Sequence, residues 1–169
     1  KVPVMLNWTL GPRYLDEMMR LSNAKTAISS WRFIEKLSHV EFGSLIDQIE
    51  LLEDIRGRLG IKTKLKGLFN SFKSTHSVLR SLHLNTKNEN DTAVILFTSG
   101  TEAVPKGVPL SHKNLITNQR STVQCIDIHA TDVIYSILPP FHSFGFSIAG
   151  TLPILAGMKV AFFPDPTDS

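Results

Sequence analysis

Short β-branched apolar runs alternate with segments of helical period along the whole chain, and this alternation limits the fold more than any other feature. Val2–Leu6 and Ala93–Phe97 have the length and residue types of buried strands, and Lys25–Ser29, Val133–Leu138 and Lys159–Phe163 read as further strands. Between them, Arg13–Ala24 and Trp31–Leu37 place apolar residues at helical intervals. Phe42–Leu59 repeats Leu45, Ile46, Ile49, Leu52 and Ile55 as one helical stripe. Ser111 is a candidate N-cap for a helix from His112 to about Val123. A Gly-rich apolar helix is expected from Phe146 to Ala156, and the stretch from Phe97 to Pro109 reads as loop. Strands followed by helices imply an α/β fold with a mostly parallel sheet and flanking helices.

The 169 residues suffice for one ordinary domain or two small ones, and 42% hydrophobic with 20% charged residues excludes a disordered or fibrous chain. A lone cysteine, Cys125, excludes an internal disulfide and is expected to be a small core residue. Val133–Met158 carries no Lys, Arg, Asp or Glu, yet Pro139-Pro140 and its glycines interrupt a helix. It is read as strand, loop and buried helix rather than a membrane span. The chain opens at Lys1 on an apolar run and stops at Ser169 just past another, so both ends are read as cuts. Polar, unpatterned residues divide it into 1–84, a linker at 85–91, and 92–169.

Charge is segregated. Eight Lys/Arg and no acid lie between Arg56 and Asn88, leaving ten basic residues against fifteen acidic elsewhere. Within that segment Ile61, Leu65, Leu68, Phe69 and Phe72 form an apolar stripe, with Lys62, Lys64, Lys66 and Lys73 beside it. Ile61–Lys73 can rest on an anionic membrane, face an acidic protein, or pack its stripe on the sheet with the lysines in water. Nucleic acid is not an expected partner, because exposed aromatics are not interleaved with the basic residues.

The segment from Thr98 to Gly107 carries the chemistry. It holds three hydroxyls (Thr98, Ser99, Thr101), two glycines (Gly100, Gly107) and one lysine (Lys106) between a strand and a helix start. Glycines let backbone N–H groups turn inward, hydroxyls donate to phosphate oxygens, and lysine adds charge. A Walker A loop needs Ser/Thr directly after Gly-Lys, and none stands there.

This segment resembles the phosphate-binding signature of the adenylate-forming superfamily: acyl-CoA synthetases, luciferases and peptide-synthetase adenylation domains. It matches at Thr98, Ser99, Gly100, Thr101, Pro105, Lys106, Gly107, Val108, Ser111, His112 and Asn114. It departs at Glu102 and Ala103, where the common pattern has Thr and Gly. A Glu at that place is similar to the acyl–acyl-carrier-protein synthetases, including the bifunctional enzyme that reacylates 2-acylglycerophosphoethanolamine. The opening Pro3–Pro12 resembles a segment of that group as well. A second block, Leu138-Pro-Pro-Phe-His-Ser-Phe-Gly145, resembles the family's acid-pocket motif.

The resemblance implies an incomplete piece of the large N-terminal domain of a fatty-acid-activating ligase. It implies ATP phosphate binding by Thr98, Ser99, Gly100, Thr101, Glu102, Lys106 and Gly107, and acid-substrate contact by Phe141, His142, Phe144 and Gly145. Phe146 and the uncharged helix to Ala156 would extend the acyl wall. ATP and Mg2+ are the implied cofactors, with the magnesium ligands expected outside this chain. Fatty acid, and acyl-carrier protein or CoA, are the implied partners. The implied setting is cytoplasmic, peripheral on or tethered to the inner membrane, in phospholipid metabolism. An acyl-CoA synthetase, a non-catalytic nucleotide- or acyl-binding relative and a membrane-surface module are the alternatives. The family's Tyr-Gly-x-Thr-Glu and Thr-Gly-Asp segments and its lid lysine are absent, so the isolated chain is expected to make no acyl-AMP. No His-x-x-x-x-Asp is present, so the acyltransferase step is not encoded in these residues. His39, His76, His83 and His129 have no comparable setting, and no His/Cys/Asp/Glu cluster suggests a metal.

Overall fold

The computed structural model describes residues 1–84, 88–98 and 104–162. In chain order the elements are β1 (Val4–Met5), α1 (Pro12–Ser22), β2 (Ala27–Ser29), α2 (Trp31–Lys36), β3 (Ile49–Leu51), α3 (Leu52–Arg58), α4 (Ile61–Ser71) and α5 (Thr75–Ser81). Then follow β4 (Thr92–Thr98), β5 (Lys106–Ser111), α6 (His112–Cys125), β6 (Val133–Ser136), a π-helix (Gly145–Thr151), α7 (Leu152–Ala156) and β7 (Lys159–Phe162). Short 3-10 turns occupy Trp8–Leu10 and Gly43–Gln48. The α/β class expected from the alternation is the class observed. Among the described residues the strand pairs β1–β4, β2–β3 and β6–β7 are parallel, and β4–β5 is antiparallel.

The core forms on α1. Leu15, Met18 and Met19, spaced three and four apart, fall on one helix face and are buried with Leu45. Leu6, Trp8, Tyr14, Phe42, Ile49 and Phe97 close around them. Pro12 opens the helix, where its missing N–H costs nothing. Asn23, at φ 52°, ends it. The N–H groups of Asn23 and Ala24 reach back to the carbonyls of Arg20 and Met19, a Schellman closure with Asn in the usual glycine position.

Two local expectations are corrected. Phe42–Leu59 is not one helix: a 3-10 turn carries Leu45 into the α1 core, and Ile49–Leu51 then pairs with Ala27–Ser29 as β3. Only Leu52–Arg58 is α-helical. A spacing of three and four is also met by a turn followed by a strand, and the β2 edge recruits the strand. Second, the expected loop before Pro109 begins as β5 at Lys106. Pro109 lies opposite Ile95 on the outer strand of its sheet, where a residue without N–H is tolerated.

The sheet joins residues distant in sequence. β1 from within 1–84 pairs with β4 from within 92–169, Val4 opposite Ile95 and Met5 opposite Leu96. Asn88–Asp91 is tied down locally: Asp91 Oδ2 accepts from the Asn88 N–H at 3.1 Å, and Glu89 binds Lys113 Nζ at 2.9 Å. Residues 85–87 of the expected linker lie outside the described residues.

The expected N-cap of α6 is observed, as a full capping box. Ser111 Oγ accepts from the Asn114 N–H at 3.1 Å, and Asn114 Oδ1 accepts from the Ser111 N–H at 2.9 Å. We expect Ser111→Ala to lower stability by about 1 kcal/mol and Ser111→Asp to retain it, measured by urea unfolding. Cys125, expected in the core, is exposed at the end of α6. Among the described residues no helix is long and apolar enough to cross a membrane.

Candidate functional site

β4 carries Thr98 at its last position and β5 carries Lys106 at its first. The two residues are antiparallel partners, so they are the feet of the seven-residue connection 99–105. Both are exposed at the sheet end, while Val94 and Leu96 of β4 are buried beneath them. Ser99, Gly100, Thr101 and Glu102, together with Ala103, lie outside the described residues. Pro105 is buried and anchors the returning limb.

Gly107 sits opposite Phe97, and a Cβ there would lie 3.2 Å from the Phe97 ring. The glycine lets that ring lie flat across the ladder and pack into the α1 core. An open cleft of about 430 Å³ runs beside this hairpin, walled by Leu21, Ile95, Phe97 and Pro109, with Ser22 and Lys106 as its polar residues. Its apolar wall is unsuited to a polyphosphate. The phosphate reading therefore rests on the hairpin end and not on the cleft.

The second block folds as a turn between β6 and the π-helix. The His142 N–H donates to the Pro139 carbonyl at 3.0 Å, and the Phe146 N–H to the His142 carbonyl at 2.8 Å. Gly145 is buried directly against this turn: a Cβ there would lie 2.3 Å from Pro139 O and 2.7 Å from Leu138 O. Phe141 packs edge-on against Trp8, centroids 6.0 Å apart, and Trp8 packs edge-on against Phe33 at 5.9 Å. His142 and Phe144 project from the surface, Phe144 with 59% of its area exposed. Of the four residues expected at the acid pocket, Phe141 and Gly145 have packing roles, and His142 and Phe144 are exposed. Trp8 and Phe97 pack on the same α1 core, so this core underlies both blocks.

Gln119 is a residue that sequence reasoning misses. It is 2% exposed on α6, among Leu115, Ile116 and Val123, and a polar residue inside that apolar stripe is the available signal. Its Nε2 donates to Thr151 Oγ1 at 2.9 Å and to the Ser147 carbonyl at 3.2 Å, while its Oε1 has no partner among the described residues. Thr151 Oγ1 also donates to the Ser147 carbonyl at 3.0 Å. Side chains inserted at that carbonyl widen the helix, so Gly145–Thr151 is π rather than the α-helix expected from Phe146. No three His, Cys, Asp or Glu side chains converge among the described residues.

A family model described as "AMP-binding enzyme" matches residues 1–169. A probable 4-coumarate–CoA ligase of Dictyostelium discoideum is 30% identical over 167 residues, covering 92% of this chain and 28% of that protein. A chloroplastic long-chain-fatty-acid–[acyl-carrier-protein] ligase of Arabidopsis thaliana is 31% identical over 130 residues, covering 74% of this chain and 17% of that protein. ATP-bound MatB from Rhodopseudomonas palustris superposes with a TM-score of 0.66 at 21% identity, over 97% of this chain and 30% of that one. The chain thus spans less than a third of the curated relatives it matches. A match over all 169 residues, with the hairpin bearing Thr98 and Lys106 inside it, makes this chain a member of the AMP-binding enzyme family.

Proposed function

We propose that the full-length protein is an ATP-dependent fatty-acid ligase that forms acyl-AMP and passes the acyl group to the thiol of acyl-carrier protein, serving lysophospholipid reacylation. The observation that carries this reading is the pairing of Thr98 with Lys106 at the end of the β4–β5 hairpin, within a chain of this family. The carrier-protein acceptor is supported by Glu102 in the loop and by the Arabidopsis relative, whose name states that acceptor.

In the first step a carboxylate oxygen attacks the α-phosphorus of ATP, and the bond to the bridging oxygen breaks to release pyrophosphate. Lys106 Nζ and the hydroxyls of Thr98, Ser99 and Thr101 hold the β- and γ-phosphate oxygens together with the backbone N–H groups of Gly100, Glu102 and Gly107. Charge grows on the leaving pyrophosphate, and donors gathered at the hairpin end stabilise it. His142 donates to the acid or acyl phosphate oxygen, and Phe144 lies along the acyl chain. In the second step a thiolate attacks the acyl carbonyl and AMP leaves.

The test is ATP–pyrophosphate exchange by the full-length protein with long-chain fatty acids, followed by transfer to acyl-carrier protein or CoA. We expect acid-dependent exchange and at least about ten-fold faster transfer to the carrier protein. Preference for CoA makes the protein an acyl-CoA synthetase. Nucleotide binding without exchange selects a binding-only relative, the reading that Glu102 and Ala103 keep open.

A further inference from the structure

We infer that α4 docks on an anionic lipid bilayer, lying in the interface with Ile61, Leu65, Leu68, Phe69 and Phe72 entering the headgroup region. This stands independently of the enzymatic reading. A helix that serves a core turns its apolar side inward, and α4 does the reverse. Phe72 is 83%, Ile61 74% and Phe69 68% exposed, whereas the half-buried residue of α4 is Asn70. The sequence allowed the stripe to pack on the sheet; in the fold it faces outward.

The lysines have the arrangement such docking needs. At about 100° per residue, the five apolar side chains span an arc of about 100°. Lys62, Lys66 and Lys73 fall on one border of that arc and Lys64 on the other, with Thr63 and Asn70 behind. Long lysine stems can then lie along the apolar strip while their ammonium groups reach lipid phosphates on both sides. None of these four lysines makes an ion pair among the described residues. Arg56 to Arg80 contains seven Lys/Arg and no acid.

The exposed strip with its flanking cations suits a bilayer surface. Among the described residues no other element packs extensively against α4. A helix with cations on both borders of its apolar strip lies in a bilayer interface without needing a partner groove. Leu79, Leu82 and Leu84 continue the exposed apolar surface beyond α4.

The experiment is co-sedimentation of the full-length protein with phosphatidylcholine vesicles, with and without phosphatidylglycerol. We expect binding to the anionic vesicles alone. Replacing Lys62, Lys64 and Lys66 together with glutamine should weaken partitioning about 100-fold, because three charges at about 1 kcal/mol each are removed. Phe69→Ser combined with Phe72→Ser should release the protein while circular dichroism stays unchanged. A Phe72→Trp variant, with the wild-type signal subtracted, should shift its emission to the blue only when anionic vesicles are added. Absence of binding, equal binding to neutral vesicles, or full binding by the triple lysine variant overturns the proposal. So does emission from the Phe72→Trp variant that is already blue-shifted without vesicles, which means that the remainder of the protein or a second copy covers the stripe. A blue shift on adding acyl-carrier protein but not vesicles identifies an acidic protein partner and overturns it equally.

Discussion

We expect Lys106→Met to lower the rate of ATP–pyrophosphate exchange by about 10²- to 10³-fold in the full-length protein, while its unfolding transition stays where it was. The magnitude is that of one preorganised donor removed from a developing negative charge. The unchanged stability follows from position: Lys106 is exposed at the first residue of an outer strand, and its backbone pairing with Thr98 does not depend on the side chain. Lys106→Arg keeps the charge but replaces a compact ammonium with a planar fork, so it restores only part of the rate. An unchanged exchange rate in Lys106→Met would remove Lys106 from the phosphate site.

Gly145→Ala acts in the opposite sense, on the fold before the chemistry. The new methyl carbon would stand 2.3 Å from Pro139 O and 2.7 Å from Leu138 O, and both are backbone atoms that no rotamer change can move. The turn must open, which strains its His142-to-Pro139 hydrogen bond and shifts His142 with it. We expect destabilisation of about 3 kcal/mol, at the upper end for an overpacked site, together with loss of acid-dependent exchange. Gly150→Ala is the control. Its Cβ would meet nothing nearer than 3.9 Å, so the variant should match or slightly exceed the parent in denaturant unfolding. Equal stability of Gly145→Ala and Gly150→Ala would show that the turn is not clamped by this contact.

The parts legible in the sequence are those written in local chemistry. Ser111 and Asn114 announce a helix start because cap and box lie three residues apart, and β4 shows itself as five consecutive apolar residues. Leu15, Met18 and Met19 mark the buried face of α1 by spacing alone. The misread parts depend on partners far along the chain. Ile49–Leu51 becomes a strand because Ala27–Ser29 needs a neighbour, and no window around Ile49 contains that information. β5 is hidden by two residues that usually signal a loop, Gly107 and Pro109, and each is explained by what lies opposite it. At the candidate site the hydroxyl, glycine and lysine pattern is readable, as is the His-and-aromatic turn. What cannot be read is the division of labour within that turn, where Phe141 packs on Trp8 while His142 and Phe144 face outward. Gln119 escapes for a related reason: its meaning comes from Ser147 and Thr151, which only the fold brings to it.

The parallel pairing of Val4 with Ile95 also sets a clock for biosynthesis. Joining strands some ninety residues apart costs about 4 kcal/mol of closure entropy, which the core around α1 must offset. At roughly 5–20 residues per second, β1 waits on the order of 5–20 s for β4 to be made. During that interval α1 can form, but Leu6 and Trp8 have no sheet to rest against. The strand that completes the first layer is the same one that bears Thr98, so the nascent chain stays open to chaperones until the candidate site's own hairpin is synthesised.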